Sequence, residues 1–326
     1  NHLLAHKTLS RDEAYNILTQ IAQGTYQPTQ VAAFITVYLM RSITVEELRG
    51  FRDAMLELCI PVRFPGVDPI DLCGTGGDSK DTFNISTLAS FVTAAAGIPV
   101  AKHGNYGVSS VSGSSNMIEH FGGRFSNDPD FLHRCMEEAN ICFLHAPLFH
   151  PAMKHVAPIR RELGVKTFFN MLGPMVNPAS PRLQLVGVFS LELARLYAYL
   201  YQQSGKQFMI LHTLDGYDEV SLTAPCKVIT GQGEQLITPE QLGMSRLAPP
   251  ALAGGDSVAA AGEIFMRVLR GEDTPARRSV VIANAGMAIH CARPELSRED
   301  ALALAAETLD AGRALDTFRK YLQICN

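Results

Sequence analysis

Several familiar features are missing from this 326-residue chain, and each absence removes a class of protein. No two of its seven cysteines form a C-x-x-C pair; they stand singly along the chain. An odd, unpatterned set reads as reduced, cytosolic thiols, mostly buried. Long apolar runs are also missing, since none reaches the roughly 18 residues of a membrane-spanning helix. The N-terminus shows no signal-peptide pattern, so a cytoplasmic protein with no membrane partner is expected. There is no basic excess: 28 Lys and Arg face 32 Asp and Glu, for a net charge of −4. Nucleic acid is therefore not expected as the main partner. Internal repeats and low-complexity tracts are absent. What remains is 47% hydrophobic and 18% charged, the balance of a globular chain with ample length for a core.

The chain is organised around Asp71 to Ser115. An apolar run, Pro69 to Cys73, reads as a buried strand, and Gly74, Gly76 and Gly77 follow it at once. The strand thus ends in a turn whose backbone can approach a ligand closely. Asn84-Ile85-Ser86-Thr87 then stands where a helix should start, ahead of the apolar run Leu88 to Ala96. A helix start offers unpaired N–H groups and partial positive charge, which suits an anion. A second strand, Ile98 to Ala101, is expected to deliver Lys102-His103-Gly104-Asn105, and five serines surround Gly113. Glycines, hydroxyls and a lysine at neighbouring strand ends suit a phosphate-rich ligand. The usual nucleotide motifs do not fit. Ser79 replaces the third glycine of a dinucleotide fingerprint, and no Gly-Lys-Ser/Thr closes a P-loop.

Around this stretch two regions separate. Residues 1 to about 65 read as helices only. Ser10 with Glu13 and Thr44 with Glu47 make capping boxes, and Pro28-Thr29 opens a very apolar helix through Val31 to Met40. Three short helices cannot bury all their apolar faces alone, so that run is either core or a dimer surface. After Pro61 and Pro65 strands and helices alternate, with further strands at Ile141 to Leu144, Gln184 to Phe189 and Phe208 to His212. Such alternation argues for a mainly parallel sheet with helices on its faces and ligands beyond the strand C-termini. The Gly-, Pro- and Asn-rich piece from His150 to about Pro181 breaks this rhythm. Helices are expected at about 256–270, 275–291 and 297–325.

Taken in order, GTGGD, TFNIST, KHGN and VSSVSGS resemble the anthranilate phosphoribosyltransferases, the second enzymes specific to tryptophan biosynthesis. FLHAPLFHPAMKHVAPIRRELG, FFNMLGPMVNPA and GYDEVSLTAP extend the resemblance over nearly the whole chain. It implies an α/β fold with a small N-terminal all-helical domain, 1–65 rejoined by about 150–181, and a large α/β domain, 66–326. The active site would lie in the interdomain cleft. The implied reaction moves the phosphoribosyl group of 5-phosphoribosyl 1-pyrophosphate to the amine of anthranilate, releasing pyrophosphate. A homodimer through the small helical domain is implied as well.

The resemblance also assigns residues. The phosphoribosyl donor would be held by Gly74, Gly77, Asp78, Thr82, Asn84, Ile85, Ser86 and Thr87. Further along, Lys102, His103, Gly104, Asn105, Tyr106, Gly107, Val108, Ser109, Ser110 and Ser114 would complete that set. Gly74, Asn105 and Arg160 would meet anthranilate, whose carboxylate suits a guanidinium. Asp218 and Glu219 are adjacent acids, a pattern most often found in a solvated turn. At a strand end beside phosphates they suit Mg²⁺, and the resemblance implies that they would be its ligands with the Ser86 hydroxyl, the family using two metal positions. No acid–base residue is assigned; Lys102 and the metal ligands would stabilise the transition state, and His103 and His150 read as orienting. Tyr106-Gly107, Asn116 and Lys166 depart from the commonest family pattern. Two other readings remain. A pyrimidine nucleoside phosphorylase of the same fold would need a further C-terminal domain, and a nucleic-acid-binding relative would need basic character.

Overall fold

The computed structural model describes residues 2–107 and 110–326. The chain opens with α1 (Arg11–Ala22), α2 (Pro28–Met40) and α3 (Val45–Glu57), then enters β1 (Ile70–Gly74), α4 (Ile85–Ala95) and β2 (Val100–Gly104). After α5 (Ser114–His120), α6 (Pro129–Ala139) and β3 (Ile141–His145) come three short helices, α7 (Ala146–Phe149), α8 (Ala157–Leu163) and α9 (Phe169–Leu172). The remainder is β4 (Leu183–Gly187), α10 (Leu191–Gln202), β5 (Gln207–Thr213), β6 (Cys226–Thr230) and β7 (Gly233–Ile237), then α11 (Val258–Arg270), α12 (Pro275–Ala292), α13 (Arg298–Asp310) and α14 (Arg313–Cys325).

These elements form two units. The helical unit comprises residues 1–62 and 146–180, and the α/β unit comprises 63–145 and 181–326. In the helical unit both capping boxes form: Ser10 and Thr44 accept the N–H groups of Glu13 and Glu47, and each glutamate reaches back to its cap. Tyr38 and Phe51 pack with Phe168 from the returning segment, at ring separations of 5.0 and 4.7 Å. That segment covers apolar surface that three helices could not bury alone. On α2, Val31, Ile35 and Tyr38 are core, whereas Leu39 and Met40 are exposed.

The α/β unit is built on one seven-stranded sheet of order β3-β2-β1-β4-β5-β6-β7. The first five strands are parallel, and β6 and β7 run antiparallel at one side. From β1 the order runs one way to β2 and β3 and the other way to β4. The crevice at the ends of β1 and β4 is thus the topological switch point, where open parallel sheets bind ligands. The largely buried α12 packs on α4, β4 and β5, and Phe91 of α4 is ringed by Phe143, Phe318 and Tyr321.

The structure corrects several sequence expectations. The second strand lies two residues later than expected, so Lys102, His103 and Gly104 are inside β2 rather than past its end. Val220-Ser221-Leu222, which reads in the sequence as a strand following the two acids, is not one, because Val220 hydrogen-bonds through both backbone groups to the Asn284 side chain instead of to a neighbouring strand. The last expected helix is two, α13 and α14, divided at Gly312, whose φ of +73° ends the helical path.

Candidate active site

The site grows from the C-terminal ends of β1, β4 and β5. Gly74 at the end of β1 pairs with Gly187 at the end of β4, and Thr75 N–H continues the ladder to Gly187 C=O at 3.0 Å. Both glycines face Asp218, which lies in the excursion between β5 and β6. A Cβ on Gly74 would fall 2.5 Å from Asp218 Oδ2, and one on Gly187 would run into the Asp218 carbonyl. Side-chain-free backbone on two strands is what lets this carboxylate enter the switch point.

Asp218 then fastens the glycine turn, accepting the Gly76 N–H at 2.8 Å. Glu219 accepts the Ser86 N–H at 3.0 Å, at the first turn of α4. The anion at this helix start is thus a side chain of the protein itself. Asn84 does not cap α4 with its side chain; its amide donates to Ser112 C=O at 3.0 Å and ties the two phosphate-type loops together. Ile85 and Thr87 are buried beneath, and Thr82 bridges to Ala253.

Burial and mutual repulsion act strongly on these acids. Asp218 is pushed up to about 7, first by desolvation and then by Asp78. Glu219 is driven well above the carboxylate range by burial together with Asp218 and Asp78, and burial raises Asp78 as well. Three acids held together in this way suit a cation between them. Among the described residues no group of three or more His, Cys, Asp and Glu is arranged to hold a metal alone. Hard oxygen donors in a pair fit Mg²⁺, which keeps waters and takes substrate phosphates for the rest of its shell.

Lys102 reaches the same place from β2. Its ammonium donates to Leu72 C=O at 2.5 Å and to Ser86 Oγ at 3.3 Å, with 2% of the residue exposed. Burial lowers its pKa, while Asp71, Cys73, Glu219 and Asp218 pull it back up. Asp71 is itself fully buried in β1, accepting the His103 N–H at 3.2 Å and the Gln184 amide at 3.3 Å.

The second loop is braced by one residue. Asn116 Oδ1 accepts the N–H groups of Gly107 and Gly113 at 2.9 and 3.0 Å, so the amide closes the loop where the family commonly carries an aspartate. Asn105 C=O accepts Ser115 N–H at 3.1 Å and the Ser114 hydroxyl at 3.4 Å. Ser110 Oγ donates to Ser112 C=O. Tyr106 turns outward, and its hydroxyl donates to Glu119 at 2.8 Å. Val108 and Ser109 lie outside the described residues.

Arg160 and His150 belong to the helical unit. Arg160 is half-buried. Its guanidinium donates to Asn170 Oδ1 at 3.2 Å, lies 5.3 Å from the Phe169 ring, and has its pKa lowered by burial. His150 is pushed down to about 4 by burial, so it is neutral near pH 7.

Sequence reasoning passed over Gly187, Asn284 and Thr213. Asn284 clamps Val220 through both backbone groups at 3.0 Å, and the Thr213 hydroxyl donates to Glu219 C=O. The usable signal was an asparagine inside the apolar run Val280-Val281-Ile282-Ala283 of α12. A buried amide there must find polar partners.

A helical unit, a sheet of this topology and an acid-and-glycine switch point define a glycosyltransferase class. Residues 1–59 match the helical bundle domain, and 66–315 the a/b domain, of a glycosyl transferase family. The anthranilate phosphoribosyltransferase of Christiangramia forsetii is 58% identical over 320 residues, covering 98% of this chain and 96% of that protein. A crystal structure of the Thermus thermophilus anthranilate phosphoribosyltransferase superposes with a TM-score of 0.92 at 34% identity, covering 99% of this chain and 98% of the other. The Saccharomyces cerevisiae anthranilate phosphoribosyltransferase in complex with PRPP and Mg superposes at 0.90 with 26% identity, covering 99% and 95%. The chain belongs to the anthranilate phosphoribosyltransferase family.

Proposed function

We infer that this enzyme transfers the phosphoribosyl group of 5-phosphoribosyl 1-pyrophosphate to the amine of anthranilate. The products are N-(5-phosphoribosyl)anthranilate and pyrophosphate, a step toward tryptophan. The observation that carries the reading is the convergence of Gly76, Ser86 and Lys102 with Asp218 and Glu219 at the switch point. As the bond from ribose C1 to pyrophosphate breaks, the ribose becomes oxocarbenium-like and negative charge grows on the leaving group. The Gly76 and Ser86 N–H groups hold the two acids at the glycine turn and the start of α4, Lys102 supplies fixed positive charge, and the Asn116-braced loop supplies hydroxyls. Mg²⁺, when bound, would be held by Asp218 and Glu219 with the Ser86 hydroxyl, and would offset charge on the pyrophosphate. Two metal positions are carried over from the family resemblance, and a Mg²⁺ titration that departs from a one-site curve would support them.

Arg160, with Asn105 and Gly74, would receive anthranilate; a guanidinium set by Asn170 and Phe169 is a fixed partner for a carboxylate. The amine attacks C1 and loses its proton after bonding to carbon, so no strong base is required, in keeping with a neutral His150. A homodimer is supported by Leu39 and Met40, exposed on α2 at 43% and 82%. Light scattering at twice the chain mass tests it, and a monomer would refute it. Free cysteines support a reducing, cytoplasmic setting. Among the described residues no helix is long and apolar enough to cross a membrane.

The reaction is tested by anthranilate fluorescence, which should fall on adding the donor and Mg²⁺. Constant fluorescence with cleavage of thymidine or uridine in phosphate would establish a phosphorylase instead.

A further inference from the structure

We propose that Lys80 is a pyrophosphate-binding residue, placed to hold the leaving group of the phosphoribosyl donor. The inference rests on the transferase reading above and concerns the donor site of that reaction. Other cations near the glycine turn are already engaged. Lys102 is buried and donates to Leu72 C=O and Ser86 Oγ. Arg277 is held by Asp273 and by Ala253 C=O. The Asn105 to Gly107 turn carries no cation, and its Tyr106 is bound to Glu119. Lys80 is exposed and, among the described residues, makes no close ion pair with a carboxylate, its charge acting on Asp78 only at longer range.

Its position is built by the backbone. Ser79 and Asp81, on either side, have φ values of +61° and +47°, a conformation that costs energy in residues other than glycine. The surroundings impose it. Asp78 Oδ1 accepts the Lys80 N–H at 3.1 Å, while Asp81 accepts the N–H of Gly254 through its carbonyl and of Val111 through its carboxylate. The double twist sends Lys80 across to the turn that carries the acids. Its ammonium lies 4.7 Å from the centre of the Tyr217 ring, the residue just before Asp218, and Gly216 leaves room for the stem. An ammonium resting on a ring is weakly held and can exchange that contact for a charge-assisted bond to a phosphate oxygen.

Steady-state kinetics of Lys80→Met and Lys80→Arg test the assignment. In Lys80→Met the KM for the donor should rise by about tenfold, the value of one charge-assisted contact. Product inhibition by pyrophosphate should weaken by a similar factor, with the anthranilate KM unmoved. Lys80→Arg should recover most of both. An unchanged donor KM and unchanged pyrophosphate inhibition in Lys80→Met would overturn the proposal, leaving Lys80 as a cover for Tyr217. So would a parallel rise in both KM values that arginine does not rescue. In a wild type without transferase activity the transferase reading falls separately. Inorganic pyrophosphate titrated calorimetrically into wild type and Lys80→Met still decides, and equal affinities overturn the role of Lys80.

Discussion

Asp218, Glu219 and Arg160 have side chains governed by their surroundings more than by their residue type. The two acids stand together at a strand end with their pKa values raised by burial and by neighbouring carboxylates, a costly arrangement unless a cation is part of the design. Replacing both with Asn and Gln preserves shape and removes charge. Turnover should fall by at least about a hundredfold with the circular dichroism unchanged, and the residual activity should need more Mg²⁺. Near-normal turnover with an unaltered Mg²⁺ profile would return the pair to a structural role. Arg160 is proposed for the acceptor side. Arg160→Ala should raise the anthranilate KM by on the order of ten- to a hundredfold, from the roughly 1.5–3 kcal/mol of a hydrogen bond to a charged group. The donor KM should stay put, and equal damage to both would count against the assignment.

At the scale of elements, α12 and α3 each carry a buried polar residue with partners elsewhere in sequence. Asn284 satisfies the N–H and C=O of Val220 from the middle of an apolar helix, and thereby sets the segment that follows Glu219. Asn284→Leu leaves both backbone groups without that partner. We expect a loss of about 1–3 kcal/mol per unsatisfied group in denaturant unfolding, together with weaker Mg²⁺ dependence. Unchanged stability would mean that Val220 is held otherwise. In α3, Glu47 is buried and accepts from Arg41, Tyr38, Leu9 N–H and Thr44 N–H. Burial pushes its pKa up, but Arg41 and the backbone donors outweigh it, so the net shift is below the ordinary 4.5. A depressed carboxylate contributes stability above its unfolded pKa and loses it as the pH falls through the folded one. Thermal melts should therefore drop below about pH 4.5, and Glu47→Gln should be less stable at neutral pH with a flatter acid limb. If Glu47→Gln keeps the acid limb of the wild type, this carboxylate is not its cause.

For the molecule as a whole, the α/β core and the proposed donor site share one element. Phe91 is fully buried among Phe143, Phe265, Phe318 and Tyr321, and its helix presents Ser86 near its N-terminal end. Phe91→Ala should cost roughly 3–5 kcal/mol of stability and raise the donor KM, because α4 loses the packing that aims its N-terminus. A stable variant with normal kinetics would separate the core from the site.

Much of this was readable from the chain itself, for local reasons. Capping boxes, the glycine turn after an apolar run, and strand–helix alternation depend on neighbours within a few residues, so Ser10 with Glu13, Gly74 to Gly77 and the mainly parallel sheet could be read directly. The order of motifs pointed to the family because chemistry fixes the residue types. Where strands end was less legible. Lys102 was expected past a strand and lies inside one, since the ladder with β3 continues to Gly104. The break at Gly312 and the clamp on Val220 depend on conformation and on partners 64 residues away. Only the tertiary structure decided that Glu219 sits on the Ser86 N–H, that Gly187 must lack a side chain beside Asp218, and that Lys80 reaches Tyr217. Each is a contact between segments distant in sequence, and local propensity carries no information about which distant backbone will stand opposite.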